Sequence, residues 1–371
     1  MKTKAALLWE QPGEWDVCEI ELDAPHPHEV LVRMVATGLC HSDDHNAKGD
    51  LKPSHFPFCG GHEGAGVVEA VGSKVRDVKP GDHIVTAFIP SCGHCRWCAS
   101  GLQSLCDNGG RSVEGRQLDG TYRMHIDGKD IAQGSMLGAF SEYTVFDEGS
   151  CVKVDDDISL TVACLVACGV PTGWGSAVNA AAVQPGDVVI VMGIGGIGIN
   201  AVQGARHAGA TQIIAVDPVK FKREKAIELG ATVAVETIEE ATDLAREHTN
   251  GQGADSAIIT IGVPTGSHVG GAFSSIRKAG TVVLTGAANI SERGLPINLF
   301  ELTMYQKRIQ GALYGGCSAA KDIPRLLSLY RSGQLRLDEL VTRTYPLEQI
   351  NQGYADMHAG LNIRGVLTFD G

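Results

Sequence analysis

Eleven cysteines stand among the 371 residues of this chain, and the spacing of four of them is its first chemical signal. Cys92, Cys95, Cys98 and Cys106 are separated by two, two and seven residues. Four thiolates on short loops close a tetrahedral shell around Zn²⁺ and leave no position for a substrate, so a zinc here is structural. Iron in the same shell, or a redox-active disulfide, is the other chemistry these residue types allow. A second concentration is Cys40-His41-Ser42-Asp43-Asp44-His45, where every side chain can serve metal, proton or hydrogen-bond chemistry. Its plain alternative is a polar helix start, with Ser42 or Asp43 as cap and Cys40 as a small buried hydrophobe. His62 sits among glycines in Gly60-Gly61-His62-Glu63-Gly64, with Glu63 beside it as a supporting carboxylate, and Cys168 precedes Gly169-Val170-Pro171-Thr172 on an apolar background. Jointly, Cys40, His62 and Cys168 offer two thiolates and an imidazole, a set that leaves a zinc one open position.

A different chemistry is written at Val188-Val189-Ile190-Val191-Met192-Gly193-Ile194-Gly195-Gly196-Ile197-Gly198. A β-branched run enters G-x-G-x-x-G, and a helix can follow from Ile197 to Gly209. Gly193 allows the turn, Gly195 lets backbone approach a pyrophosphate, and Gly198 lets helix pack on strand. The helix start then offers N–H groups and a positive dipole end to phosphates. A second apolar run, Gln212 to Val216, ends in Asp217, placed to take the adenosine ribose hydroxyls. That carboxylate would repel a 2′-phosphate and favours NAD, although Lys220, Lys222 and Arg223 follow it.

The elements that must position these groups read as two kinds. Residues 1–37 alternate short apolar runs with Pro and acidic residues, as strands and turns do. Strands are expected at His83 to Phe88 and Phe140 to Phe146, the rest of 107–150 being loop, and a close-packed helix from Thr172 to Ala182. After Asp217 come helix 221–229, strand 232–235, helix 238–248, strand 255–261, helix 267–278 and strand 281–285, the alternation of a parallel sheet covered on both faces. Cofactors then bind at the carboxyl ends of the strands, where Gly262 and Gly286 border the nicotinamide half. A helix near 321–332 and a strand from Gly365 to Phe369 close the chain. The fold expected is α/β, a mostly β catalytic domain (1–170 and 314–371, with a zinc lobe near 90–110) plus a doubly wound nucleotide domain (171–313).

Composition excludes several classes. A net charge of −12 argues against nucleic acid and acidic membrane surfaces as partners. No apolar run of membrane-spanning length and no signal pattern appears, so a cytoplasmic protein is expected. In that compartment the cysteines serve metals before disulfides.

Together these pieces resemble the zinc-dependent medium-chain alcohol dehydrogenases over essentially the whole chain. The likeness rests on residues 38–45, 61–66, the four-cysteine lobe, 167–173, the glycine motif with Asp217, and 363–369. It implies a GroES-like catalytic domain and a Rossmann domain, with Cys40, His62 and Cys168 on a catalytic zinc and Cys92, Cys95, Cys98 and Cys106 on a structural one. It further implies that Ser42 hydrogen-bonds the alcohol and that the proton leaves through the cofactor ribose to His45. Asp43 would orient His62, and Glu63 would lie behind the metal. Thr172, Gly193, Gly195, Gly196, Ile197, Gly198, Asp217, Lys222 and Arg364 would contact NAD, with His41 where many relatives carry a pyrophosphate-binding Arg. Leu51, Phe88 and Leu137 would wall the alcohol pocket.

The resemblance implies a small-molecule alcohol or aldehyde as partner and a homo-oligomer, most simply a dimer pairing Arg308 to Leu313 across a two-fold axis. Leu51 stands where the branch that oxidises hydroxymethyl-glutathione adducts carries an acid; that branch is one alternative, and a non-catalytic NAD-binding or quinone-reducing relative is another. Residues 1–6, 170–175 and 193–201 resemble the actinobacterial nicotinoprotein branch, whose members keep NAD bound and pass electrons to an external acceptor such as a nitroso-dimethylaniline dye.

Overall fold

The computed structural model describes residues 1–369 and divides into two compact units. One comprises Met1–Cys168, Ser318–Ser332 and the C-terminal segment from Leu337, and the other Gly169–Cys317 with Gly333–Arg336.

In the first unit, strands Lys2–Leu8, Asp16–Leu22, Met124–Ile126, Lys129–Gln133 and Phe58–Cys59 close a barrel. Beside it, Glu29–Gly38 and Glu63–Val71 are the centre of a seven-stranded sheet that also takes in Arg364–Thr368. Trp15, Phe140, Phe146, Met34 and Leu137 fill the common core. The segment 107–150 is therefore not the loop its glycines suggest. Asp107–Glu114 turns as a 3₁₀ run, and two short strands complete the barrel wall. Lys129-Asp130-Ile131-Ala132-Gln133 is too polar to read as a strand, yet Ile131, Ala132 and Gln133 are buried by their partners.

The second unit is a six-stranded parallel sheet in the order Val233–Val235, Gln212–Val216, Val188–Met192, Ala254–Ile259, Ile276–Leu284, Arg308–Gly311. Strand order reverses beside Val188–Met192, which sets the cofactor crevice at its carboxyl end. Helices Gly198–His207, Lys220–Glu228, Ile238–His248 and Gly266–Ser275 provide the crossovers. Arg308–Gly311 is the sixth strand, at the sheet edge, rather than a segment that follows the sheet. Where a helix was expected over 172–182, Gly169–Gly175 is α-helical and Ser176–Ala180 widens into a π turn. Among the described residues no single helix is long and apolar enough to cross a membrane.

Candidate active site

Strand register assembles the first cluster. Gly38 pairs with Glu63 across neighbouring antiparallel strands, so the residues just beyond one end, Cys40, and just before the other, His62, come together. Cys168 arrives from the kink between the 3₁₀ turn Cys164–Ala167 and the helix Gly169–Gly175. Ligand atoms of Cys40, His62, Glu63 and Cys168 all lie within 4.8 Å of one another, and all four residues are buried. Buried thiols and imidazole converging without apolar neighbours between them fit a thiophilic dication of zinc's kind.

Asp43 locks this arrangement. Its Oδ1 accepts from Gly61 N–H at 2.9 Å, and its Oδ2 lies 3.0 Å from His62 Nδ1, which leaves Nε2 for a ligand role. Gly61 is in the left-handed region, φ +87°, and a Cβ there would collide with Phe140. The thiol of Cys40 is held well below its usual range, first by the hydrogen bond from Cys168, against burial, and then by the charges of His62 and Arg364. Burial alone would lower His62, but Asp43 and the Cys40 thiolate win and raise it to about 10. Both shifts describe anionic sulfur facing a cation, the electrostatics a metal would replace.

Behind the trio, Glu63 is fully buried and ion-paired with the Arg364 guanidinium, itself buried. Gly38 makes room for them, since a Cβ there would stand 2.3 Å from the Glu63 carboxylate. This pairing joins residues far apart in sequence and was not legible from the motifs. With Glu63 engaged by Arg364, Cys40, His62 and Cys168 are the three that could hold a tetrahedral ion and would leave it one position open.

Residues 40–48 are indeed a helix, His41–Lys48, but Cys40 is its N-cap, and Ser42 and Asp43 lie inside the first turn instead of capping it. Ser42 Oγ is 3.5 Å from Cys40 Sγ, beside the trio. His45 is buried one turn on, with Nδ1 2.9 Å from Asp50 Oδ2. His41 is exposed, its ring 6.4 Å from that of His45 and 6.2 Å from that of His358. Phe88 packs its ring edge against His62 at 5.8 Å, and Leu51 is 37% exposed. Leu137 is not a pocket wall: it has no exposed surface and belongs to the barrel core.

The four-cysteine lobe forms its own cluster, with all four sulfurs within 4.8 Å of one another. Backbone N–H groups of Cys95, Cys98 and Cys92 point at the sulfurs of Cys92, Cys95 and Cys106, at 3.2, 3.5 and 3.3 Å. Such donors stabilise thiolates, and those from Cys98 and Asp107 bring Cys95 down to about 6. Burial pushes Cys98 up to about 12, a thiol that a metal would have to deprotonate. No disulfide joins any cysteine among the described residues. A third acidic group, His26, Glu29 and Asp119, already surrounds a cation, because the Arg123 guanidinium lies 2.7 Å from Glu29 and 2.8 Å from His26 Nδ1.

In the other unit the glycine motif has the expected form. Gly193 has φ +89°, a Cβ at Gly198 would meet Gly193 O at 1.9 Å, and nothing lies within 4 Å of a Cβ placed on Gly195. Gly196 and Ile197 complete the turn into the helix, and Thr260 Oγ donates to Gly193 O at 2.6 Å. Asp217 is buried and accepts from Ile194 N–H and Val219 N–H at 2.8 and 2.9 Å, each oxygen keeping a lone pair for a hydroxyl. Lys222 is half-buried in the helix that follows, and Thr172 is buried in Gly169–Gly175. Gly262 and Gly286 lie just past the carboxyl ends of Ala254–Ile259 and Ile276–Leu284.

The sequence profile described as "Alcohol dehydrogenase GroES-like domain" matches residues 26–156, and that described as "Zinc-binding dehydrogenase" matches residues 196–332. An NDMA-dependent alcohol dehydrogenase of Amycolatopsis methanolica is 52% identical, over 99% of each chain. The crystal structure of an alcohol dehydrogenase zinc-binding domain protein from Burkholderia ambifaria matches with a TM-score of 0.93 and 34% identity over 100% of both chains. That of benzyl alcohol dehydrogenase from Acinetobacter calcoaceticus matches with a TM-score of 0.92 and 28% identity over 100% of both chains. These likenesses support alcohol oxidation and not the readings as a hydroxymethyl-glutathione dehydrogenase or a non-catalytic relative.

Proposed function

The chain belongs to the zinc-dependent medium-chain alcohol dehydrogenases, and from that premise we propose that it oxidises neutral, largely apolar or aromatic primary alcohols to aldehydes, using NAD and two zinc ions per chain. The observation that carries this reading is the buried trio Cys40, His62 and Cys168 with Asp43 on its imidazole. When bound there, zinc supplies the Lewis acid that acidifies an alcohol hydroxyl, and NAD takes up the hydride. Ser42, beside the trio, orients the alcohol and takes its proton, and His45, one turn further along the same helix, receives it. Glu63 keeps Arg364 in place behind the ligands, while the guanidinium has further donors for a pyrophosphate. The lobe of Cys92, Cys95, Cys98 and Cys106 holds the structural zinc.

NAD is favoured over its 2′-phosphate form by Asp217 and by the engagement of two of its three basic neighbours. Arg223 donates to the carbonyls of Asp217 and Pro218 at 2.7 and 2.9 Å, and Lys220 lies 3.6 Å from Glu224. Leu51 and Phe88 supply apolar walls. Arg111 donates to Leu118 O at 2.7 Å and lies 3.8 Å from Glu114, which makes it a poor anion anchor. A pocket of this kind discriminates by only about 1–3 kcal/mol per methylene, so a broad range of alcohols is expected.

We extend to this chain the NDMA dependence that the Amycolatopsis relative's name states of that protein, and propose with it that NAD stays bound and that electrons leave to an external acceptor. The test is to purify the protein without added cofactor, denature it, and assay the supernatant for NAD and zinc. About one NAD per chain, with benzyl alcohol turned over when a nitroso-dimethylaniline dye is the acceptor, is the expected result. Absence of NAD, with added NAD alone sustaining many turnovers, would sink the bound-cofactor part. No alcohol turnover with either acceptor would sink the whole reading.

A dimer is supported by exposed apolar side chains on both sides of the edge strand Arg308–Gly311: Ile290, Leu299, Phe300 and Met304 before it and Leu313 after it, all more than half exposed. Large apolar side chains left this exposed on either side of an edge strand in sequence fit a surface that is covered in an assembly. Light scattering is expected to give twice the chain mass, and a monomer mass across a range of concentrations would end the idea. The unbridged cysteines fit a reducing, cytoplasmic compartment.

A further inference from the structure

His45 differs from an ordinary surface histidine in two respects. Its side chain is only 5% exposed, and its Nδ1 is 2.9 Å from the carboxylate of Asp50, which is 33% exposed. Helix His41–Lys48 ends at Gly49 in the left-handed conformation, φ +104°, and nothing but Gln11 comes within 4 Å of a Cβ there, so it is the backbone angle that calls for glycine. The turn is closed by two bonds to His45 O, from Gly49 N–H at 3.1 Å and Leu51 N–H at 3.2 Å. Gln11 Nε2 ties the far side, donating to Leu51 O at 2.6 Å. The chain thus folds back so that residue 50 lies under the ring of residue 45.

We propose that Asp50 is a positioning residue for alcohol oxidation, an acid that fixes the tautomer of His45 and holds its imidazolium when the substrate proton arrives. The inference rests on His45 being the receiver of that proton, as proposed above. An ionised carboxylate only accepts hydrogen bonds, so the ring nitrogen facing it carries the hydrogen. Nε2 is then unprotonated and free to take a proton. When it does, Nδ1–H stays shared with Asp50, one positive charge is balanced by one negative charge, and the proton is later lost to water. The logic is that of a carboxylate behind any catalytic histidine.

Among the described residues no other carboxylate is ion-paired with His45. His41 faces the ring from the preceding turn, and a second positive charge there would oppose protonation. Asp44 is turned to His358 Nε2 at 3.0 Å and to Lys48 at 3.5 Å, and Lys48 lies 3.3 Å from His358 Nδ1. That set is balanced within itself.

Three variants test the assignment: Asp50→Asn, which keeps an oxygen acceptor without charge; Asp50→Glu, which keeps the charge; and His45→Gln as a control on the relay. Expected for Asp50→Asn is a loss of about tenfold in kcat with KM for the alcohol unchanged, a fraction of the 10²–10⁴-fold a positioned base contributes. Asp50→Glu should restore most of the rate. Independently of activity, ¹⁵N-histidine NMR of the unmodified protein, with His45→Gln for assignment, should show His45 as the Nδ1–H form, and Asp50→Asn should weaken that tautomer preference. If His45→Gln slows the enzyme while Asp50→Asn leaves rate and tautomer in place, this inference is wrong and the relay stands. If His45→Gln has no effect, the relay itself is wrong. An Nε2–H form of His45 in the unmodified protein would overturn the inference without any variant.

Discussion

Cys40→Ser is expected to lower alcohol oxidation at least about a thousandfold while the fold is kept, and to reduce bound zinc from about two ions per chain to about one. A Lewis acid in the active site is worth several kcal/mol of transition-state charge stabilisation, and each 1.36 kcal/mol is a factor of ten in rate. Serine cannot replace the thiolate, since Cys40 owes its anionic state to a partner set of Cys168, His62 and Arg364 that a hydroxyl would not ionise against. The fold should survive because Cys40 caps its helix without a side-chain bond, and the surrounding strands pair through backbone. Circular dichroism, zinc analysis and a steady-state assay on one preparation decide the matter. An unfolded Cys40→Ser protein, with Cys92→Ser fully active, would show that the two metal roles have been assigned the wrong way round.

Cys98→Ser should act in the opposite sense, through stability. The lobe it belongs to has almost no core of its own: Ile89, Cys98 and Cys106 are its buried members, with Phe88, Cys92 and Cys95 packed against them. Segments with so little apolar burial rely on a metal, and the free energy of zinc binding there is folding free energy. Loss of one ligand is expected to lower the melting temperature by on the order of ten degrees and to open residues 91–114 to protease, with rapid chelation of the remaining metal. Unchanged melting and unchanged protease resistance would mean that the lobe stands without its metal.

Much of this protein was legible from local pattern. The four-cysteine lobe lies within 15 residues, and the strand, turn and helix around Gly193, Gly195 and Gly198 within another short stretch. Their geometry is set by spacing alone, so residue types at fixed offsets were enough to name the chemistry, and the resemblance to a dehydrogenase family rested on the same stretches. The alternation of the parallel sheet was equally plain, since strands buried on both faces are written as unbroken apolar runs.

What the sequence left open depended on contacts between distant segments. The barrel strands Met124–Ile126 and Lys129–Gln133 carry no period of their own and exist because neighbouring strands bury one face of them. Leu137 looked available to a substrate and is core, because the barrel closes over it. Cys40, His62 and Cys168 become a site only through the register that pairs Gly38 with Glu63 and the kink that delivers Cys168. Glu63 meets Arg364 across the fold, and Asp50 meets His45 because Gly49 turns left-handed. Residue identity and spacing determined which chemistries this chain could carry. Register, burial and one backbone angle decided which side chains face one another, because those quantities arise from the packing of segments that sequence order keeps apart.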